Sequence, residues 1–261
     1  MQIHRFRLVV SAVALASAVA CGGGSEAPPA STPAAAPAAS AVDPAIAANI
    51  TGRVVVKGHV PKAEAVSMSG DPTCVRGTAG TAPTEYFVVG PDGGLDNVFV
   101  YVKNGLGNRV FPAPATPVVL DQNGCRYVPH VAGVQVDQPL EVRNSDDTLH
   151  NVHAVAVIND EVNVGQPMKG MTNTFRFKGR EVMIPFKCDV HGWMNAYVGV
   201  MDHPFFAVSA GGGAFALKTL PPGTYEIEAW HEKLGTQTLS VTVGEKETKE
   251  MTFTFIVPNE E

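Results

Sequence analysis

The run Cys188-Asp-Val-His191-Gly-Trp-Met194 puts a thiol, an imidazole and a thioether on one short loop, and Leu149-His150-Asn151-Val152-His153 supplies further imidazoles upstream. Thiolate and thioether favour Cu(I), while imidazole serves both copper oxidation states. A trigonal His2Cys set with a weak axial Met is the donor chemistry of a mononuclear blue-copper electron-transfer site. The Cys188 thiol must lose its proton to bind, and the metal itself drives that loss.

Competing chemistries fit these residues less well. Structural zinc favours Cys, His and carboxylate and rarely takes a thioether. A nucleophilic Cys188 would need a base, an orienting group and an oxyanion hole, and the closely following His191 and Met194 argue for ligation instead. A dinuclear copper centre needs a second loop cysteine, and multicopper oxidase chemistry needs more than the eight histidines present. His150 and His153 lie three apart, so in a strand they face opposite sides and do not share one mononuclear centre. His153 therefore reads as structural or surface; His130 reads as a turn or surface residue, His203 and His231 as core or surface hydrogen-bonding groups, and Met183 and Met201 as core.

Such a loop needs paired strands to hold it. Glu181-Val-Met-Ile-Pro-Phe-Lys reads as a strand ending at Cys188, and Ala196-Tyr-Val-Gly-Val-Met201 as the strand leaving the loop. Leu140-Glu-Val-Arg runs towards His150, which enters a strand of its own. Elsewhere Thr51-Gly-Arg-Val-Val-Val, Tyr86-Phe-Val-Val, Asn97-Val-Phe-Val-Tyr-Val and Glu226-Ile-Glu-Ala-Trp are separated by Gly, Pro, Asn and Asp turns. No stretch shows 3.6-residue apolar spacing, so the fold class is all-β, built of sandwiches.

Basic His4-Arg5-Phe6-Arg7 precedes an apolar run from Leu8 to Ala20, which reads as a signal peptide over residues 1–20 and is too short to span a bilayer. Residues 21–49 are mostly Ala, Pro, Ser and Gly, the composition of a disordered tether. The net charge of −6 gives no reason to expect nucleic-acid binding and is compatible with a basic redox partner. An exported chain keeps disulfides. Of the four cysteines, Cys188 is assigned to the metal and Cys21 directly follows the signal, so Cys74 and Cys125 are expected to pair. Two buried thiols or a second soft-metal site are the alternatives. The bridge would close a loop of about 50 residues and contribute roughly 3 to 5 kcal/mol.

Three resemblances follow from these motifs. Ala18-Val-Ala-Cys21 looks like a bacterial lipoprotein signal, which implies lipid on Cys21 and a periplasmic or outer-surface position on a membrane; an ordinary cleaved signal is the alternative. Ile50-Thr-Gly-Arg-Val, Asp96-Asn-Val-Phe-Val and Leu220-Pro-Pro-Gly-Thr-Tyr225 resemble the carboxypeptidase regulatory-like, transthyretin-like sandwich, whose fold is carbohydrate-binding-like. Cys-x2-His-x2-Met and His-Asn-Val-His, with Pro129, Gly133, Asp137-Gln138 and Asn144 to Asp147 before them, resemble the cupredoxins. Within those the match is to amicyanin and amicyanin-like methylamine utilization proteins. The pattern departs at Leu149, where proline is common, and in the long segment Ile158 to Phe175.

The cupredoxin resemblance implies one type 1 copper held equatorially by His150, Cys188 and His191 and axially by Met194. It implies that Asn151 ties the ligand loops together and that the exposed edge of His191 passes electrons. Trp193 would line a docking patch or pack inward. The expected order is a first part of the regulatory-like sandwich over 50–112, a copper domain over 113–202 and the sandwich's second part over 203–257, with beads on a string as the alternative. The expected activity is non-enzymatic electron transfer between redox proteins, and a copper-delivery or glycan-binding scaffold is the competing expectation.

Overall fold

The computed structural model describes residues 42–78 and 81–258. The signal peptide, Cys21 with its expected lipid, and the tether as far as residue 41 lie outside the described residues. In chain order the elements are β1 (Ala48–Lys57), β2 (Ala65–Ser67), α1 (Pro72–Thr78), β3 (Thr81–Pro83), β4 (Phe99–Asn104), β5 (Val118–Gln122), β6 (Tyr127–Val128), β7 (Val131–Gln135), β8 (Leu140–Asn144) and β9 (His150–Ala154). They continue with β10 (Val162–Gln166), β11 (Thr172–Phe175), β12 (Glu181–Lys187), β13 (Asn195–Met201), β14 (Phe206–Val208), β15 (Ala214–Leu220), β16 (Gly223–His231), β17 (Gly235–Val243) and β18 (Thr248–Ile256).

The architecture is all-β. In the first sandwich, sheet β15-β1-β18 faces sheet β14-β4-β16-β17 across a core that includes Ile50, Val54, Leu95, Val100, Ile227 and Phe253. The period-2 pattern of β1 sends Ala48, Ile50, Val54 and Val56 inward. β1 runs parallel to β18 from Asn49 opposite Thr248 to Lys57 opposite Ile256, and β4 pairs with β14 and β16. Strands from the two ends of the chain are thus laced together. β5 to β13, between them in sequence, build the second sandwich from sheets β10-β9-β12-β13-β7 and β11-β8-β5-β6. Its core includes Leu120, Tyr127, Val142, Val152, Phe186 and Val198.

A small aromatic cluster joins the sandwiches. Phe99 and Tyr101 of β4 meet Val131, Met183 and Met201 of the second sandwich. Room for them comes from Gly133 and Gly199, paired across β7 and β13. A Cβ on Gly199 would lie 2.5 Å from Phe99 Cζ, and one on Gly133 2.5 Å from Phe206 Cε2. The side chain omitted at each position is what lets the rings bed down.

Several expectations need correction. The tether was expected to run to residue 49, but Ala48 is already a buried residue of β1, and Lys246 N–H donates to Ile46 O at 3.1 Å. The stretch 65–83 was assigned to the first sandwich, yet Met68, Cys74 and Ala82 pack into the core of the second. That excursion also contains α1, a helix too short to show apolar periodicity. His130 was read as a turn or surface residue; it is 4% exposed, with Nε2 2.5 Å from Glu232 Oε1. A hydrogen-bonding carboxylate 102 residues away is what draws this histidine inside.

Candidate metal centre

Three elements bring the donors together. His150 opens β9, Cys188 follows β12, and His191 lies in the loop that returns to β13. Pairing of Phe186 with Ala154 and Lys187 with His153 sets the end of β12 beside β9. The loop is tied by backbone hydrogen bonds, Met194 N–H to His191 O at 2.8 Å and Cys188 N–H to Met194 O at 3.3 Å. His150 Nδ1 lies 3.0 Å from His191 Nδ1, and Cys188 Sγ 3.9 Å from the same atom. All three donors fall within 4.8 Å of one another. His150, Cys188, His191 and Met194 are 0%, 2%, 3% and 1% exposed.

The outer edges of both imidazoles meet carboxylates. His150 Nε2 is 3.0 Å from Asp146 Oδ2, and His191 Nε2 is 3.2 Å from Asp71 Oδ2. Asp146 also accepts the Gly124 and Cys125 N–H groups, both at 2.8 Å. Those residues form a two-residue hairpin turn with positive φ at both positions. Asp71 caps α1, its Oδ1 accepting Thr73 N–H at 2.6 Å and Cys74 N–H at 3.4 Å, with Pro72 at the first helical position. Its Oδ2 also accepts the Thr148 hydroxyl at 2.6 Å.

This arrangement has a chemical consequence. A carboxylate only accepts, so each imidazole places a proton on Nε2 and, when neutral, turns the Nδ1 lone pair inward. Two lone pairs 3.0 Å apart, beside a sulfur, repel unless a cation lies among them. Without metal that cation is a proton. Burial opposes the charged form of His150, but Asp146 and the Cys188 sulfur outweigh it and hold the pKa of His150 above the usual value. Burial likewise opposes the Cys188 thiolate, and His150 with the Asn151, His191 and Val190 amides brings its pKa below the usual value. Burial and His150 push the pKa of His191 down. The Thr148 hydroxyl above all, aided by the Thr73 amide and His191, overcomes burial and pulls the Asp71 carboxyl down to about 2. A thiolate and two inward imidazole nitrogens, buried and soft to borderline, fit copper.

Further hydrogen bonds fix the donors. Asn151 N–H donates to Cys188 Sγ at 3.4 Å. The Asn151 side chain accepts Asp189 N–H at 2.9 Å and donates to Asn163 Oδ1 at 2.5 Å. The Tyr127 hydroxyl, 2.7 Å from Asn151 O and 3.0 Å from Lys187 O, ties both ligand strands to the opposite sheet. Half-buried Trp193 lies with its ring 5.0 Å from that of His191 and donates from Nε1 to Cys125 O at 3.1 Å. His153 turns away, held between Asp189 and Glu161.

The expectation of an exposed His191 edge is overturned. Asp71 and Cys74 lie over that edge, held there by the Cys74–Cys125 disulfide, and Cys74 Sγ is 3.9 Å from His191 Nε2. Sequence reading missed Asp71, Asp146, Thr148 and Tyr127. Asp71-Pro72 is a helix-start signal, but nothing in it names His191 as partner.

No protein-family model and no curated protein matches the chain. Among solved structures, a Cu(I) mutant of amicyanin aligns at 22% identity and TM-score 0.29, over 40% of this chain and 99% of that one. An oxidised amicyanin mutant aligns at 21% and 0.30 over the same shares. A copper-containing nitrite reductase from Thermus scotoductus SA-01 aligns at 18% and 0.30, over 38% of this chain. The chain spans a quarter of that enzyme's length. At these identities and TM-scores no functional conclusion rests on the likeness.

Proposed function

We propose that this chain is an exported, lipid-anchored electron carrier with one mononuclear copper, held by His150, Cys188, His191 and Met194, and that it exchanges electrons with redox proteins without catalysing a reaction of its own. The observation that carries the reading is the convergence of Cys188 Sγ and two imidazole Nδ1 atoms within 4.8 Å while both Nε2 atoms are held by carboxylates.

When bound, copper supplies a one-electron couple. The protein's part is positional. β9 carries His150, its pairing with β12 sets Cys188, the residue after β12, beside it, and the loop bonds from Cys188 and Met194 fix the turn between β12 and β13. Donors set at strand ends and in a short loop locked by surrounding hydrogen bonds move little, which keeps reorganisation small. The Asn151 amide and the inward Tyr127 hydroxyl hold the thiolate loop, and burial excludes water. Such burial also disfavours the delivery reading, which calls for exposed and labile ligands.

Voltammetry of the copper-loaded protein tests the proposal. A reversible one-electron wave, with copper retained against a chelator in both oxidation states, is expected. Copper that binds without a reversible wave, or that leaves on reduction, refutes it.

A further inference from the structure

We propose that Asp71 is the positioning residue for His191, the counterpart of Asp146 on His150, and that the two carboxylates together bias the site towards its more oxidised state. This deepens the copper reading above and rests on it.

Asp71 does more than cap α1. Capping needs one oxygen, and Oδ1 supplies it to the Thr73 and Cys74 amides. The other oxygen faces His191 Nε2 at 3.2 Å and is itself fixed by the Thr148 hydroxyl, two residues before His150. One side chain therefore joins the helix, the approach to the first histidine and the ligand loop. Asp146 does the same from the other side, joining the hairpin turn of Gly124 and Cys125 to His150 Nε2.

The disulfide makes these a matched pair. Cys74 donates its amide to Asp71 at 3.4 Å, and Cys125 donates its amide to Asp146 at 2.8 Å. The bridge between them thus clamps together the two elements that present carboxylates to the two histidines. Neither imidazole can rotate without breaking a bond to an anchored anion. Both must present Nδ1 to Cys188.

The electronic effect follows from charge. An anionic acceptor on Nε2–H raises the basicity of the ligand nitrogen, and loss of such a partner typically lowers metal affinity by about 10- to 100-fold. Negative charge beside a buried centre also favours its more highly charged state. Removing the Asp71 charge should therefore weaken Cu(II) binding more than Cu(I) binding and raise the potential.

The test uses the full protein. Asp71→Asn keeps a good helix cap but loses the charge, Asp71→Ala loses both, and Asp92→Asn in the first sandwich controls for net charge. With the thiolate-to-copper absorption retained, Asp71→Asn should raise the potential by about 59 mV, a roughly tenfold change in the ratio of Cu(II) to Cu(I) affinity. Asp92→Asn should leave the potential in place. In the metal-free protein, nitrogen-15 shifts of His191 should place the proton on Nε2 and show both tautomers in Asp71→Ala. A wild-type potential in Asp71→Asn, or unchanged His191 shifts in Asp71→Ala, overturns the proposal. Absence of the copper absorption in the wild-type protein is a different failure and overturns the copper reading itself.

Discussion

Replacing both Cys74 and Cys125 by alanine should loosen the site from the outside in. The cysteines are separated by 51 positions and are 0% and 1% exposed. In the chain-entropy model, closing a loop of that length stabilises the folded state by about 4 kcal/mol. What remains to hold the excursion includes the burial of Met68 and Ala82, the β2–β3 pairing, and the polar bonds of Asp71 to Thr148 and His191. The loss should therefore fall unevenly. Urea unfolding of the second sandwich should lose about 3 to 5 kcal/mol. By hydrogen exchange, the Val75 amide, bonded to Asp71 O at 3.1 Å, should lose protection while amides of β16 keep theirs. A stability change below about 1 kcal/mol, or Val75 protection equal to wild type, would refute the view that the disulfide holds the cap in place.

Two further outcomes are expected away from the metal. Burial above all pushes the pKa of His231 down to about 4 from the usual 6.5. The unfolded chain therefore binds the proton more tightly, and stability contributed by neutral His231 is present above pH 6.5 and lost as pH falls towards 4, up to about 3 kcal/mol. Urea midpoints measured between pH 7 and pH 4 should fall less steeply in His231→Phe; equal slopes would contradict the assignment. Glu181, 7% exposed, accepts the Val157, Ile158 and Asn159 amides. Glu181→Ala leaves these donors without their acceptor and should destabilise the protein by about 1 to 3 kcal/mol, read by thermal unfolding, whereas wild-type stability would show the loop holds itself.

The parts of this fold readable in the sequence are those set by local pattern. β1, β4, β12 and β13 carry strand signals in runs of Val, Ile and Phe, and the short Cys188 to Met194 loop needs only two antiparallel neighbours to close. The Cys74–Cys125 bridge was expected from the signal-like N-terminal run and the cysteine count. What stayed hidden depends on contacts across the chain. Asp71 meets His191 at a separation of 120 residues, and His130 meets Glu232 at 102. A polar residue's burial is decided by a partner that its own neighbourhood does not reveal. β2, α1 and β3 are each too short for periodicity to speak, so their transfer to the second sandwich, and with it the covering of His191, could not be read from pattern.

In the proposed site Cys188, as thiolate, binds one copper together with His150 and His191. Adding Cu(II) to the purified metal-free protein and recording the visible spectrum tests it most directly. An intense thiolate-to-Cu(II) absorption is expected, saturating at one equivalent and abolished in Cys188→Ser. No intense band, or a band that survives Cys188→Ser, would contradict it.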